Sequence, residues 1–202
     1  DNINKLKLLT KADFENAINF ELGEKNILIT FHPVTLEKST SGIQFQALLD
    51  SISELINTKI IFTKANSDTN GRVINSMIDD YVAKHDNTIS FTSMGQLNYL
   101  SALQFIDAVV GNSSSGLAEA PSFKIGTIDI GDRQKGRIKT NSIIACSPNK
   151  ESIDSALVKL YSTEFQDIVN NVDNPYGSGG ASKKIARIIK DTNLDNIVKK
   201  SF

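Results

Sequence analysis

The run Val110-Gly111-Asn112-Ser113-Ser114-Ser115-Gly116-Leu117-Ala118-Glu119-Ala120 carries the strongest chemical signal in the chain. An apolar stretch ends there in a small, hydroxyl-rich turn, and a helical pattern begins. Free backbone N–H groups at a helix start, together with the positive end of the helix dipole, can hold a phosphate without any lysine. Glu119, one turn into that helix, projects towards whatever sugar carries the phosphate, where its carboxylate can accept hydrogen bonds from two hydroxyls. Phosphate beside sugar implies a nucleotide. The same residues also fit a plain strand-to-helix connection with serine N-caps, although three consecutive serines exceed what a cap requires. Gly111 and Gly116 have the spacing of a Walker A loop, but Leu117-Ala118 replaces its Lys-Ser/Thr pair, which excludes a P-loop NTPase. No G-x-G-x-x-G follows the first apolar strand, so dinucleotide binding loses its main support.

Three further segments bear chemistry. In Thr30-Phe31-His32-Pro33-Val34-Thr35 the proline pushes His32 towards an extended conformation at a strand end. A histidine there can neutralise a phosphate oxygen or protonate a departing group, or simply close the strand with a hydrogen bond. Asp132-Arg133-Gln134-Lys135-Gly136-Arg137 is either a solvated loop or a source of cations, with Arg133 the candidate bidentate partner for a phosphate or for Glu119. Tyr99 can stack on a base or pack in the core. The two histidines, His32 and His85, show no metal-ligand spacing, and no structural zinc is expected.

The elements that position these residues alternate as β and α. Strands are predicted over Asn26–Phe31, Lys59–Thr63, Thr88–Thr92, Ala108–Gly111, Thr127–Ile130 and Ser142–Ala145. Helical spacing runs from Ile43 to Leu55 and from Val73 to Val82, and further helices are predicted over Leu97–Phe105, Ser115–Phe123, Glu151–Leu160 and Ser182–Lys190. This is the layout of an α/β, Rossmann-like three-layer αβα domain with a mostly parallel sheet. Ligands bind such sheets at the carboxyl ends of the strands, where the strand order reverses. That edge receives His32, then Asn66 and Asp68, then Ser93 and Met94, then Ser113 to Ser115, then Asp132 and Arg133.

Composition narrows the class. A formal net charge of −1 argues against broad attraction to nucleic acid or an anionic membrane, so a phosphate contact must be local. The single Cys146 allows no internal disulfide, and no apolar segment nears the roughly 20 residues that cross a bilayer, which points to a reduced, cytoplasmic setting. The chain opens with Asp1-Asn2-Ile3-Asn4, which is neither an initiator methionine nor a signal-peptide layout. We therefore expect a piece of a longer protein, with residues 1–22 as linker and capping helix from an upstream domain and 23–202 as the nucleotide-binding domain. In the last helix Ile185, Ile188 and Ile189 form an apolar stripe that something must cover.

Taken together, Thr30 to Thr35, Gly111-Asn112-Ser113-Ser114-Ser115-Gly116-Leu117-Ala118-Glu119-Ala120-Pro121, Ile130-Gly131-Asp132-Arg133-Gln134-Lys135-Gly136-Arg137 and the Asn174–Gly180 link resemble the hydrolysing UDP-N-acetylglucosamine 2-epimerases of sialic acid biosynthesis. The resemblance covers the C-terminal half of a GT-B architecture, with the active site between two Rossmann-like domains. It implies a UDP site: Ser113 and Ser114 at the diphosphate, Glu119 at the ribose hydroxyls, His32 and Asn66 near phosphates and sugar, Arg133 in the ligand site, and the Met94 to Tyr99 segment at the uracil, Met94 through its backbone. It implies elimination of UDP from UDP-N-acetylglucosamine to a 2-acetamidoglucal, then addition of water to give N-acetylmannosamine. No metal or redox cofactor is implied, and the proton-moving carboxylates belong to the missing N-terminal domain, so the isolated chain should be inactive. A homo-oligomer is expected in the full-length protein. A UDP-sugar-dependent GT-B glycosyltransferase, a non-hydrolysing epimerase and a non-catalytic nucleotide-sugar sensor remain open.

Overall fold

Strands buried on both faces read as near-continuous apolar runs, and Lys25-Asn26-Ile27-Leu28-Ile29-Thr30 is such a run, buried from its second residue on. The computed structural model describes residues 2–34, 40–66 and 69–193; Thr35 and Asp68, singled out above, lie outside the described residues. Its sheet comprises β1 (Lys25–Thr30), β2 (Thr58–Thr63), β3 (Thr88–Phe91), β4 (Ala108–Gly111), β5 (Gly126–Ile130) and β6 (Ile143–Cys146). Every pairing is parallel, in the order β3-β2-β1-β4-β5-β6. The chain winds outwards from β1 to β3, returns across β1 to β4, and winds outwards again. The order therefore reverses between β1 and β4, where Thr30 lies opposite Gly111.

The helices are α1 (Asn2–Lys5), α2 (Lys11–Ile18), α3 (Ser41–Ile52), α4 (Thr69–Val82), α5 (Gly95–Ala102), α6 (Ser115–Ala118), α7 (Lys150–Leu160), α8 (Thr163–Asn170) and α9 (Ala181–Asp191). On one face α3 packs against both α4 and α7; on the other α2 meets α5. Alternation along β1 sends Ile27, Ile29 and Phe31 into the first layer, with Phe45, Leu48, Ile52, Ile74, Ile78 and Ile153. Each such buried side chain contributes about 1.5–3 kcal/mol of apolar transfer. Among the described residues no helix is long and apolar enough to cross a membrane.

Two of the departures from the sequence expectation have a local cause. The helix expected over Ser115–Phe123 is interrupted at Glu119: α6 ends at Ala118 and a 310 turn covers Ala120–Phe123, with Pro121 in its first positions. Proline lacks the N–H that would continue an α-helical ladder. The other is α8, absent from the sequence expectation, which is capped by Ser162, whose hydroxyl accepts from Phe165 N–H at 3.3 Å.

Side-chain amides replace ladder rungs where the strands stop. Asn26 accepts from Gly23 N–H at 2.8 Å and donates to its carbonyl at 3.1 Å. Asn75 does the same for Ala65 at 2.8 and 3.1 Å, and Asn112 for His32 at 2.7 and 2.8 Å. At Gly111 φ is +131°, and a Cβ there would stand 2.1 Å from the Thr30 carbonyl oxygen, so β1 and β4 approach as closely as glycine alone permits.

The chain divides into two compact units, one of residues 8–176 and one of residues 1–7 with 177–202. The first holds the sheet. In the second, α9 follows Gly180 at φ +80° and carries Ile185, Ile188 and Ile189, all more than half exposed.

Candidate functional site

Gly111 delivers the chain to the sheet edge, and Asn112, 1% exposed, turns it. Asn112 N–H donates to Thr30 carbonyl at 3.1 Å, and its side chain clamps His32, which is half-buried. Its own carbonyl accepts from Arg133 Nη1 at 2.9 Å and from Gln134 Nε2 at 2.7 Å. Five hydrogen bonds thus converge on one residue, each worth about 0.5–1.5 kcal/mol net. They tie together the connections that follow β1, β4 and β5.

Ser113, Ser114 and Ser115 come next, all half-buried. Ser114 occupies the N-cap position of α6 without a side-chain capping bond, while its carbonyl accepts from Leu117 and Ala118 N–H. The Ser114 hydroxyl is therefore not used for capping. Ser115 N–H donates to Ser113 Oγ at 3.4 Å. Because α6 is only four residues long, its dipole is small, and what this turn can offer a ligand is local N–H and hydroxyl donors. Gly116 seats α6 against β5: a Cβ there would lie 2.6 Å from Thr127 Cγ2, and Thr127 Oγ1 donates to the Gly116 carbonyl at 2.8 Å.

Glu119 stands at the junction of α6 and the 310 turn, half-buried. Tyr99, from α5, donates its hydroxyl to Ser115 Oγ at 2.6 Å. Burial pushes the Tyr99 phenol up to about 12; the bond to Ser115 works against that rise and the Glu119 carboxylate adds to it. The phenol therefore stays protonated and braces the serine turn. Met94 is buried at the start of α5, before Gly95 at φ +68°. Asn66 is exposed three residues beyond β2.

The arginine loop divides its side chains. Arg133 and Gln134 reach Asn112; among the described residues no ion pair joins Arg133 to Glu119, the partner weighed from sequence. Lys139 pairs at 2.7 Å with Asp129, which is 1% exposed near the end of β5. Lys135, Arg137 and Lys139 border a cavity of about 650 Å³ with Val34, Cys146 and Pro148. Burial, reinforced by Asp129, pushes the Cys146 thiol up to about 12.

His32, Ser113, Ser114, Tyr99, Glu119 and Arg133 are thus linked through Asn112 and Ser115 at the β1/β4 switch point, whereas Met94 and Asn66 share the sheet edge without a hydrogen bond to that cluster among the described residues. Sequence reasoning passed over Asn112 as a turn residue. Its signal was an asparagine directly after a strand-ending glycine, in a stretch with more polar side chains than a turn uses.

Residues 1–190 match the UDP-N-acetylglucosamine 2-epimerase family. Over 202 residues the chain is 40% identical to a Campylobacter jejuni GDP/UDP-N,N'-diacetylbacillosamine 2-epimerase (hydrolyzing), with 99% of this chain and 52% of that protein covered. A UDP-N-acetylglucosamine 2-epimerase of Neisseria meningitidis is 30% identical over 83% of this chain and 43% of its own length. Among solved structures, the S. aureus MnaA–UDP co-structure superposes with a TM-score of 0.70 at 19% identity, covering 95% of this chain and 51% of that one. The chain spans about half the length of the curated relatives it matches.

Proposed function

The chain belongs to the UDP-N-acetylglucosamine 2-epimerase family, and we propose that it is the UDP-binding half of a hydrolysing member, which converts UDP-N-acetylglucosamine and water to N-acetylmannosamine and UDP. The observation that carries this reading is the convergence of His32, Ser113, Ser114, Glu119 and Arg133 on one switch point.

In this reading Ser113 and Ser114 donate to the diphosphate, and Glu119 accepts from the ribose hydroxyls. Met94, through its backbone, and the segment up to Tyr99 hold the uracil. Asn66 lies by the sugar. In the elimination the C1–O bond breaks and its electron pair leaves with UDP, while a base from the N-terminal half takes the C2 proton. Here His32 is the catalytic residue of this half, supplying a proton or positive charge to the departing phosphate, and Arg133 adds a fixed cation. Water then adds across C1=C2, its hydroxyl to C1 and a proton to C2. Nothing in this scheme requires a metal or redox cofactor. By itself this half binds UDP and does not turn over, because the carboxylates that work on the sugar lie in the other half. The exposed isoleucines of α9 reach back to that half, and the full-length protein is a cytoplasmic homo-oligomer.

The test is calorimetric titration of this chain with UDP, with Ser113→Ala and Glu119→Ala as controls, followed by product analysis on the full-length protein. Saturable binding lost in both variants, and free N-acetylmannosamine as product, support the reading; an elongated glycan or UDP-N-acetylmannosamine as product overturns it. The greater identity to the diacetylbacillosamine enzyme than to the Neisseria one favours a second reading of the substrate, a UDP-diacetamido-trideoxyhexose.

A further inference from the structure

Asn112 is built to act on the site without entering it. At 1% exposure it is out of reach of a ligand, and its side-chain amide is committed in both directions to the His32 backbone. A turn asparagine placed for local reasons bonds within its own loop. This one reaches back 80 residues to His32, and its carbonyl receives Arg133 and Gln134 from the loop after β5. Gln134 is itself 2% exposed, and its Oε1 has no hydrogen-bond partner among the described residues, so Nε2 to Asn112 is the anchor of that side chain.

We infer that Asn112 is the positioning residue of the leaving-group site, its side chain setting where His32 stands, and its backbone carbonyl where Arg133 stands, relative to Ser113 and Ser114. The inference rests on the functional reading given above. Holding both the N–H and the carbonyl of His32 fixes the point from which its ring departs. Arg133 spends one N–H on Asn112, which orients the plane of a guanidinium that has four more to present. As negative charge gathers on the departing diphosphate, donors that are already aimed need no reorganisation. Removing the side-chain amide releases His32 while the Asn112 backbone carbonyl still holds Arg133, so the binding groups stay in place and the loss falls on turnover.

The test is a double-mutant cycle on the full-length protein, following UDP release from UDP-N-acetylglucosamine and from its diacetamido counterpart, with His32→Ala, Asn112→Ala and both together. Asn112→Ala is expected to lower kcat at least tenfold and to change KM less than threefold. The double variant is expected to be no more than twofold slower than His32→Ala alone, because Asn112 works through that histidine. Asn112→Asp keeps the size of the side chain and the acceptor for His32 N–H while losing the donor; it replaces the alanine in the same cycle if that variant does not fold, with at least a fivefold loss expected. Losses that multiply in the double variant, or an unchanged kcat, overturn the positioning role. If the wild type turns over and the losses multiply, the positioning role alone fails. If the full-length wild type releases UDP from neither substrate, the functional reading fails and this inference falls with it.

Discussion

Replacing Gly111 by alanine tests the closest backbone approach in the sheet. Two effects add. At φ +131° an L side chain sits in a region that costs of order 1–3 kcal/mol. The new methyl would also stand 2.1 Å from the Thr30 carbonyl oxygen and 2.8 Å from its carbon, both backbone atoms with little room to yield. Overpacking of that kind costs about 1–3 kcal/mol more. The sum, about 2–6 kcal/mol, lowers the melting temperature of a domain this size by roughly 4–24 °C. Gly136→Ala is the control: its φ is +82° but its Cβ meets nothing within 4 Å, so only the backbone cost, about 1–2 kcal/mol, applies. Thermal unfolding by circular dichroism compares them, and UDP titration should show Gly111→Ala weakened more than tenfold, because the turn that carries Ser113 and Ser114 is displaced with it. A Gly111→Ala protein as stable as Gly136→Ala would refute the close-contact argument.

Other outcomes follow from the same geometry. Lys139→Met strands the buried Asp129 carboxylate and should cost about 3–5 kcal/mol, read as a lower melting temperature, with most of it recovered when Asp129→Asn is added; a drop under 2 °C would count against that. Tyr99, raised to about 12, favours the fold while protonated, so its contribution is complete below pH 10 and is lost as pH climbs towards 12. Tyr99→Phe should therefore flatten that alkaline loss in a stability-versus-pH series, and an unchanged slope would contradict the assignment. Cys146, also raised to about 12, should react with iodoacetamide at pH 8 roughly a thousandfold more slowly than an ordinary thiol of pKa about 8.5; complete labelling within minutes would refute its burial.

The sheet was legible because parallel strands covered on both faces leave uninterrupted apolar runs, and each predicted strand lies within a residue or so of its observed bounds. The switch-point rule then located His32, the serines and Arg133 without any side-chain geometry. What the chain did not reveal was governed by contacts distant in sequence. Glu119 read as mid-helix because its helical spacing continues to Phe123, yet Pro121 two residues on converts the next turn to 310. The helix α8 was overlooked although Ser162 and Glu164 flank its start and Phe165, Ile168 and Val169 share a face, since eight residues give barely two turns in which that spacing can repeat. Tyr99 could be placed on its helix but not assigned to Ser115, because a hydroxyl partner 16 residues away leaves no periodic trace.

The paired amide grips on Gly23, Ala65 and His32 have a thermodynamic consequence. Chain ends held in this way, from β1, from α4 and from the turn after β4, are ordered when the domain folds, so the conformational entropy of these turns is lost before any ligand arrives. On the proposed reading a nucleotide then meets, at the His32 and Ala65 edge, a floor whose shape is already set, and docking need not spend its interaction energy on freezing the chain. The His32 and Ala65 amides should exchange with solvent slowly in the free protein and change little on UDP binding, and the binding entropy should lack the large unfavourable contribution of a closing loop.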